Sequence, residues 1–128
     1  MRCYNLASLI YNKKILIVFV LNFDSYRSFI KLRLYTDFKF KIFIIDHKLD
    51  ETIQINKKLL SNLNADMMII DKYDWDILEE KKCREFSKKI VEFDDLANRK
   101  HDCDFLVDVS LERKVSDYSK LIPKKCNL

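Results

Sequence analysis

The feature that constrains the fold most is a regular alternation of short apolar runs with segments of helical periodicity. Five runs have the length and the β-branched, aromatic composition of buried strands: Ile15–Leu21, Phe40–Asp46, Met67–Asp71, Ile90–Asp94 and Phe105–Asp108. Four other segments carry apolar residues at helical spacing: Arg2–Asn12, Ser25–Tyr35, Asp50–Asn64 and Asp74–Ser87. We expect Ser25 to cap the second of these helices. Strands that alternate with helices are joined by right-handed crossovers, so the pattern predicts an α/β fold with a parallel sheet and helices on both faces.

Length and charge indicate a single domain without a nucleic-acid or membrane partner. The chain has 128 residues, 48% of them hydrophobic, which is enough for one core. Its 24 basic and 20 acidic residues are spread along the chain, which excludes a dedicated nucleic-acid arm. With 12% aromatic residues the chain is too apolar for disorder. No run approaches the roughly 18 apolar residues of a membrane span.

The residue counts also exclude two kinds of chemistry. The chain contains no glycine, so sites that cradle a phosphate in a glycine loop are absent from it. The four cysteines are Cys3, Cys83, Cys103 and Cys126. None of them forms a C-x-x-C motif, and His47 and His101 complete no zinc-binding spacing with them. We therefore expect reduced thiols, a cytoplasmic location, no metal site and no cofactor.

Three of the first four predicted strands end in an acidic residue, at Asp46, at Asp71 and at Asp94 with Asp95. In open α/β sheets the carboxyl ends of the strands line the ligand crevice, which makes these acids candidate site residues. An acid at a strand end also stabilises the N-terminus of the helix that follows, through the helix dipole. Both interpretations remain open for each of these residues.

A longer motif covers the last third of the chain. Residues 94–106 read D-D-L-A-N-R-K-H-D-C-D-F-L, and residues 117–126 read D-Y-S-K-L-I-P-K-K-C. This composite closely resembles the N-terminal half of the UDP-sugar hydrolases of pseudaminic acid biosynthesis. Those enzymes carry D-D-L-A-x-R-x-H-x-C-D-x-L-L-D and then D-Y-x-x-L-V-P-x-x-C. The resemblance is firm from Met67 to Cys126, weaker from Met1 to Leu21, and vague between them.

The resemblance implies a fold and a reaction. Members of the family have two Rossmann-like domains in a glycosyltransferase-B arrangement. On this basis we expect residues 1–128 to be part of the N-terminal domain, without its first strand and without the C-terminal nucleotide-binding domain. The family reaction releases UDP from UDP-2,4-diacetamido-2,4,6-trideoxy-β-L-altropyranose when water attacks the anomeric carbon. The family's catalytic histidine lies just before the position that matches Met1, so we expect this chain alone to be inactive.

The resemblance also implies candidate substrate-binding residues. The segment Asp71-Lys72-Tyr73 is similar to a family D-H-Y at a strand end, with lysine in place of histidine. Tyr73 and Asp71 are therefore expected at the substrate crevice, where the tyrosine would bind the sugar or the diphosphate. Tyr73 is equally compatible with an ordinary interface role. Arg2 matches the arginine that follows the family's catalytic histidine. A contact with a phosphate and a role in helix packing are equally compatible with this position.

The signature itself contains four more candidates, Asp94, Asp95, Arg99 and His101. For the first three we expect an Asp–Arg pair that orders the loop. For His101, and for His47 outside the motif, a structural or surface role is the simpler interpretation. The sequence leaves three functions open: a UDP-sugar hydrolase, a related glycosyltransferase, and an inactive remnant or binding module. It does not indicate the exact sugar or the oligomeric state.

Overall fold

The computed structural model describes residues 2–11, 14–33, 41–44 and 64–128. The chain divides into two units, Met1–Gln54 and Ile55–Leu128. Among the helices in these described ranges, none has the length and apolar character that crossing a membrane requires.

The described residues of the first unit form two helices and two strands that alternate along the chain. Helix α1 spans Arg2–Ile10, strand β1 Val18–Leu21, helix α2 Phe23–Arg33 and strand β2 Lys41–Ile44. Strands β1 and β2 pair in parallel, with Val18 opposite Lys41. Each element falls within two or three residues of a predicted one, and the parallel pairing confirms the expected crossover.

An aromatic cluster forms the core of the first unit. Tyr4 of α1 meets Phe29 of α2 edge to face, with ring centroids 5.4 Å apart, and Phe19 of β1 lies 4.9 Å from the same ring. Helix α2 begins before Ser25, because the side chain of Asn22 accepts a hydrogen bond of 2.8 Å from the backbone N–H of Ser25. The prediction that Ser25 caps this helix is therefore wrong.

The second unit contains a three-stranded parallel sheet. Strand β3 spans Met68–Ile70, helix α3 Ile77–Cys83, strand β4 Ile90–Phe93 and strand β5 Phe105–Val107, followed by a short 3-10 helix at Val115–Tyr118. The order of the strands is β3-β4-β5, and both pairings are parallel. The structure thus confirms the predicted α/β class and is consistent with a fragment of a Rossmann-like fold.

Helix α3 is shorter than the predicted helix Asp74–Ser87. It starts after Asp76, whose carboxylate accepts a hydrogen bond of 2.7 Å from the backbone N–H of Leu78. The side chain of Glu79 accepts from the backbone N–H of Asp76 in return, at 3.1 Å. This capping box fixes the first turn, and the chain leaves the helix after Cys83.

The predicted helix Asp50–Asn64 lies outside the described residues except for its last position. Asn64 itself is not helical and has a positive φ of 39°.

The middle strand of the sheet is buried along its whole length. All four residues of β4 are buried, including the acidic Glu92. The apolar core consists of buried residues from the three strands, from α3, from the segment before β5 and from the 3-10 helix: Ile70, Cys83, Ile90, Cys103, Leu106 and Tyr118. Glu92 thus lies in the interior, as do Glu80, Asp94 and His101.

Candidate functional site

The candidate site lies at the carboxyl edge of the three-stranded sheet. Asp71, Asp94 and Asp108 each follow directly after one of its strands. In the register of the sheet Phe93 lies opposite Val107, so Asp94 and Asp108 leave the sheet at the same level. The edge therefore gathers three carboxylates on three neighbouring loops.

Asp94 is the buried centre of this edge. One of its carboxylate oxygens accepts a hydrogen bond of 2.8 Å from Arg99, and the other accepts one of 2.9 Å from the backbone N–H of Ala97. Burial acts to raise the pKa of Asp94, but these hydrogen bonds and the charge of Arg99 outweigh it and lower the pKa. Asp94 caps the tight turn of residues 94–97, in which Ala97 has a φ of 49°. It therefore caps this turn and not a helix.

Arg99 ties this turn to the loop after β3. Besides its contact with Asp94, its Nε donates to the backbone carbonyl of Trp75 at 2.7 Å. Its Nη2 donates to the carbonyl of Lys72 at 3.3 Å. One guanidinium thus holds both ends of the segment that contains Tyr73, and its planar fork suits several acceptors at once.

A second set of contacts ties the turn to the loop after β5. The buried hydroxyl of Tyr118 donates to Asp108 at 2.7 Å and lies 3.1 Å from a carboxylate oxygen of Asp94. Arg113 donates through Nε to Asp108 at 2.9 Å and through Nη2 to the backbone carbonyl of Asp95 at 2.8 Å. All three loops at the edge are therefore fastened to one another.

The pKa shifts of Asp108 and Tyr118 fix the direction of the hydrogen bond between them. Burial acts to raise the pKa of Asp108, but hydrogen bonds from Tyr118 and Ser110 outweigh it and lower the pKa to about 2. Burial, followed by the hydrogen bond to Asp108, raises the pKa of the Tyr118 hydroxyl. The tyrosine therefore stays protonated near neutral pH and acts as the donor to a charged carboxylate.

The fastened loops present Tyr73 and Asp95 at the surface. The Tyr73 side chain is 55% exposed, and its hydroxyl donates to a carboxylate oxygen of Asp95 at 3.1 Å. A phenol oxygen and a carboxylate side by side can accept hydrogen bonds from hydroxyl and amide N–H groups. Next to them, the ammonium group of Lys72 forms an ion pair of 3.0 Å with Asp74.

A fully buried cluster of Glu80, Glu92 and His101 is connected to this edge. Nδ1 of His101 lies 2.6 Å from Glu80, and its Nε2 lies 3.5 Å from Asp94. Burial, with the nearby charge of Glu80, raises the pKa of Glu92 to about 9. One potential ligand atom from each residue of the cluster lies within 4.8 Å of the other two. Among the described residues, this is the group of acidic and histidine side chains close enough together to be considered for a metal ion.

The structure brings five of the predicted site residues onto two of the three loops of this edge, those after β3 and β4: Asp71, Tyr73, Asp94, Asp95 and Arg99. His101 lies in the interior, which agrees with a structural role and excludes a surface one. Arg2 begins helix α1 of the first unit, and its role stays a prediction. Asp46 and His47 lie outside the described residues.

Sequence reasoning missed five residues of the network: Glu80, Glu92, Asp108, Arg113 and Tyr118. A signal existed for three of them. Tyr118 belongs to the D-Y pair of the second motif, Asp108 ends a predicted strand, and Glu92 interrupts an apolar strand where a charged residue is unexpected. Glu80 and Arg113 lie in ordinary polar surroundings in the sequence, so only the fold reveals their partners.

Comparison with known proteins gives one partial similarity. No protein-family profile matches the chain. A stretch of 71 residues, 55% of the chain, is 37% identical to the UDP-2,4-diacetamido-2,4,6-trideoxy-β-L-altropyranose hydrolase of Campylobacter jejuni. That stretch is 26% of the relative, so the chain spans about a quarter of the relative's length. The chain therefore has a distant, partial similarity to a UDP-sugar hydrolase.

Proposed function

We propose that the carboxyl edge of the three-stranded sheet is the sugar-binding part of a UDP-sugar hydrolase of pseudaminic acid biosynthesis. The observation that carries this proposal is the exposed Tyr73–Asp95 pair, held at 3.1 Å on loops that two arginines fasten together. The partial similarity to the Campylobacter jejuni hydrolase supports it. In this proposal the chain belongs to the N-terminal Rossmann-like half of a two-domain enzyme.

The chemistry of the pair suits a sugar better than a diphosphate. The sugar of the relative's substrate carries two acetamido groups and hydroxyl groups, all of which donate hydrogen bonds. Asp95 is acidic and Asp71 lies on the neighbouring loop, so a negatively charged diphosphate is disfavoured beside them. Tyr73 and Asp95 would therefore bind donor groups of the sugar, and the diphosphate would lie farther from this edge.

In the proposed reaction a water molecule attacks the anomeric carbon, the bond from that carbon to the diphosphate oxygen breaks, and UDP leaves. A base must take a proton from the water. Among the described residues, the histidine is His101, which is 1% exposed and bound to Glu80, so it cannot reach a substrate at the edge. By the resemblance, the base in this proposal is a histidine outside the described residues, and the edge contributes binding and orientation.

The two arginines determine how well the edge can orient a sugar. Arg99 fixes the carbonyls of Lys72 and Trp75 on either side of Tyr73, and Arg113 fixes the carbonyl of Asp95. Small errors in orientation are costly, since a displacement of about 1 Å can reduce a rate by about a hundredfold. The arginines are thus positioning residues in this proposal.

The proposal can be tested in a chimera. Residues 67–126 of this chain replace the matching segment of the Campylobacter jejuni hydrolase, and release of UDP is measured with the altropyranose substrate. We expect a folded chimera to release UDP, and Tyr73→Phe to lower kcat/KM by roughly 5- to 100-fold through loss of one hydrogen bond. The control Ser119→Ala removes an exposed hydroxyl outside the edge loops and should leave kcat/KM unchanged.

The possible outcomes separate the alternatives. A folded chimera without UDP release would contradict the proposal and favour an inactive binding module. Transfer of the sugar to an added acceptor in preference to water would favour a glycosyltransferase. Full activity of the Tyr73→Phe chimera would show that the Tyr73 hydroxyl does not bind the substrate.

A further inference from the structure

We propose that Cys103 and Cys126 form a dithiol site, which a low-molecular-weight disulfide such as oxidised glutathione converts to an intramolecular disulfide bond that stabilises the second unit. This inference is independent of the proposed function. All four cysteines of the chain are thiols in this structure. The sulfur atoms of Cys103 and Cys126 lie 3.5 Å apart, although the two residues are 23 positions apart in the sequence.

Backbone hydrogen bonds hold the two cysteines next to each other. Asn127, directly after Cys126, donates from its N–H to the carbonyl of Asp104 at 3.0 Å, and its carbonyl accepts from the N–H of Leu106 at 2.8 Å. These bonds form a parallel bridge to β5, and Cys103 directly precedes Asp104. Because a disulfide bond is about 2.05 Å long, the sulfur atoms need to approach each other by only about 1.5 Å.

The two thiols differ in exposure, which determines the order of their reactions. Cys103 is 0% exposed and belongs to the apolar core, whereas Cys126 is partly exposed. Of this pair, oxidised glutathione can therefore reach Cys126, and Cys103 reacts second. Burial raises the pKa of both thiols. The reactive thiolate is therefore scarce at neutral pH, so the exchange is slow there and becomes faster as the pH rises.

The reaction consists of two thiol–disulfide exchanges. The thiolate of Cys126 attacks one sulfur atom of oxidised glutathione, the S–S bond of glutathione breaks, and one glutathione leaves. Cys103 then gives up its proton, its sulfur attacks the Cys126 sulfur of the mixed disulfide, and the second glutathione leaves. The protein loses two electrons and two protons, and two glutathione thiols form. The new bond closes a loop in the unfolded chain, which should stabilise the folded second unit.

The pairing can be measured in the full 128-residue chain. The folded chain is incubated with oxidised glutathione at about pH 8.5, where more thiolate forms. The remaining thiols are alkylated, and disulfide-linked peptides are quantified by mass spectrometry. The same reaction in urea is the reference, because Cys83 and Cys103 are about as far apart in the sequence as Cys103 and Cys126, and unfolded loops of similar length close with similar entropy. We expect the Cys103–Cys126 bond to exceed the Cys83–Cys103 bond by at least about tenfold in the folded chain, and the two bonds to be about equal in urea.

Two variants and a thermal melt complete the test. The control Cys3→Ser, in the first unit, should form the Cys103–Cys126 bond to the same extent as the original chain. Cys126→Ser should leave Cys103 reduced, because Cys103 is buried. The oxidised chain should melt at least about 5 °C above the reduced chain, and dithiothreitol should abolish this increase.

Four results would overturn the proposal. The folded chain could keep all four thiols, or Cys126 could remain a mixed disulfide with glutathione. The Cys103–Cys126 bond could be no more favoured over the Cys83–Cys103 bond in the folded chain than in urea. Finally, the oxidised chain could melt no higher than the reduced one.

Discussion

The hydroxyl of Tyr118 offers a sharp test of how the edge is held together. It donates to Asp108 at 2.7 Å inside the protein, and Tyr118→Phe removes this donor while keeping the buried ring. A hydrogen bond to a charged group contributes about 1.5–3 kcal/mol, and an acceptor left buried adds to the loss. Because Ser110 and Arg113 still bind Asp108, we expect the free energy of unfolding to fall by about 2 kcal/mol.

Urea unfolding followed by tryptophan fluorescence measures this change. The chain has one tryptophan, Trp75, which lies against the core of the second unit and reports on the unit that contains Tyr118. The midpoint should shift while the slope with urea stays constant. The control Ser119→Ala removes an exposed hydroxyl from the same unit and should change stability by less than about 0.5 kcal/mol.

A double-mutant cycle assigns the loss to the contact itself. Asp108→Asn combined with Tyr118→Phe should be less destabilising than the sum of the two single changes, by about 1 kcal/mol or more, because the residues share one hydrogen bond. A loss below about 0.5 kcal/mol in Tyr118→Phe, or fully additive effects, would refute the idea that this hydroxyl fastens the loops.

Three further predictions concern stability. The pKa of Asp108 is lowered to about 2 in the folded chain, so the charged carboxylate stabilises the fold above about pH 4, and this contribution is lost as the pH falls toward 2. In thermal melts between about pH 4 and about pH 2, Asp108→Asn should therefore lose less stability than the original chain. Ala97→Gly should stabilise the chain by up to about 1 kcal/mol because its φ is 49°, whereas Ala65→Gly should destabilise it in the same urea titration. Asp104→Asn should lower the free energy of unfolding by about 2–3 kcal/mol because it breaks a largely buried ion pair with Arg84. Asp66→Asn, in an exposed pair with Lys88, should lower it by less than about 0.5 kcal/mol. Equal losses in the two variants would contradict this prediction.

The periodicity of the sequence was sufficient to predict the fold class and the strands of the second unit. Short β-branched runs that alternate with helical segments have few compatible arrangements, and the parallel pairings of β3 with β4 and of β4 with β5 agree with the predicted parallel sheet. The order of the strands was not predicted. Local details were less predictable. The competition between Asn22 and Ser25 for a helix cap depends on where the preceding strand ends, and the capping box at Asp76 shortened α3.

The candidate site was predictable only in part, because its contacts join distant positions. The fold brings His101 to Glu80, 21 residues earlier, whereas sequence reasoning compared the histidine only with cysteines. Tyr118 reaches Asp94 across 24 residues. The charged Glu92 stood out in the apolar pattern of β4, but the pattern did not indicate that Glu80 and His101 would lie near it. Such pairings have no local spacing, so one sequence does not reveal them.

The most direct test of the central claim is to map substrate binding on the isotope-labelled chain by nuclear magnetic resonance. The altropyranose UDP-sugar, its free sugar and UDP alone are titrated separately. We expect the UDP-sugar and the free sugar to shift the amide signals of residues 71–75 and 94–97, and UDP alone to leave them unchanged. In Tyr73→Phe these shifts should require a higher concentration of the sugar. Shifts caused equally by UDP alone, or no shifts at these loops with millimolar sugar, would contradict a sugar-binding role for this edge.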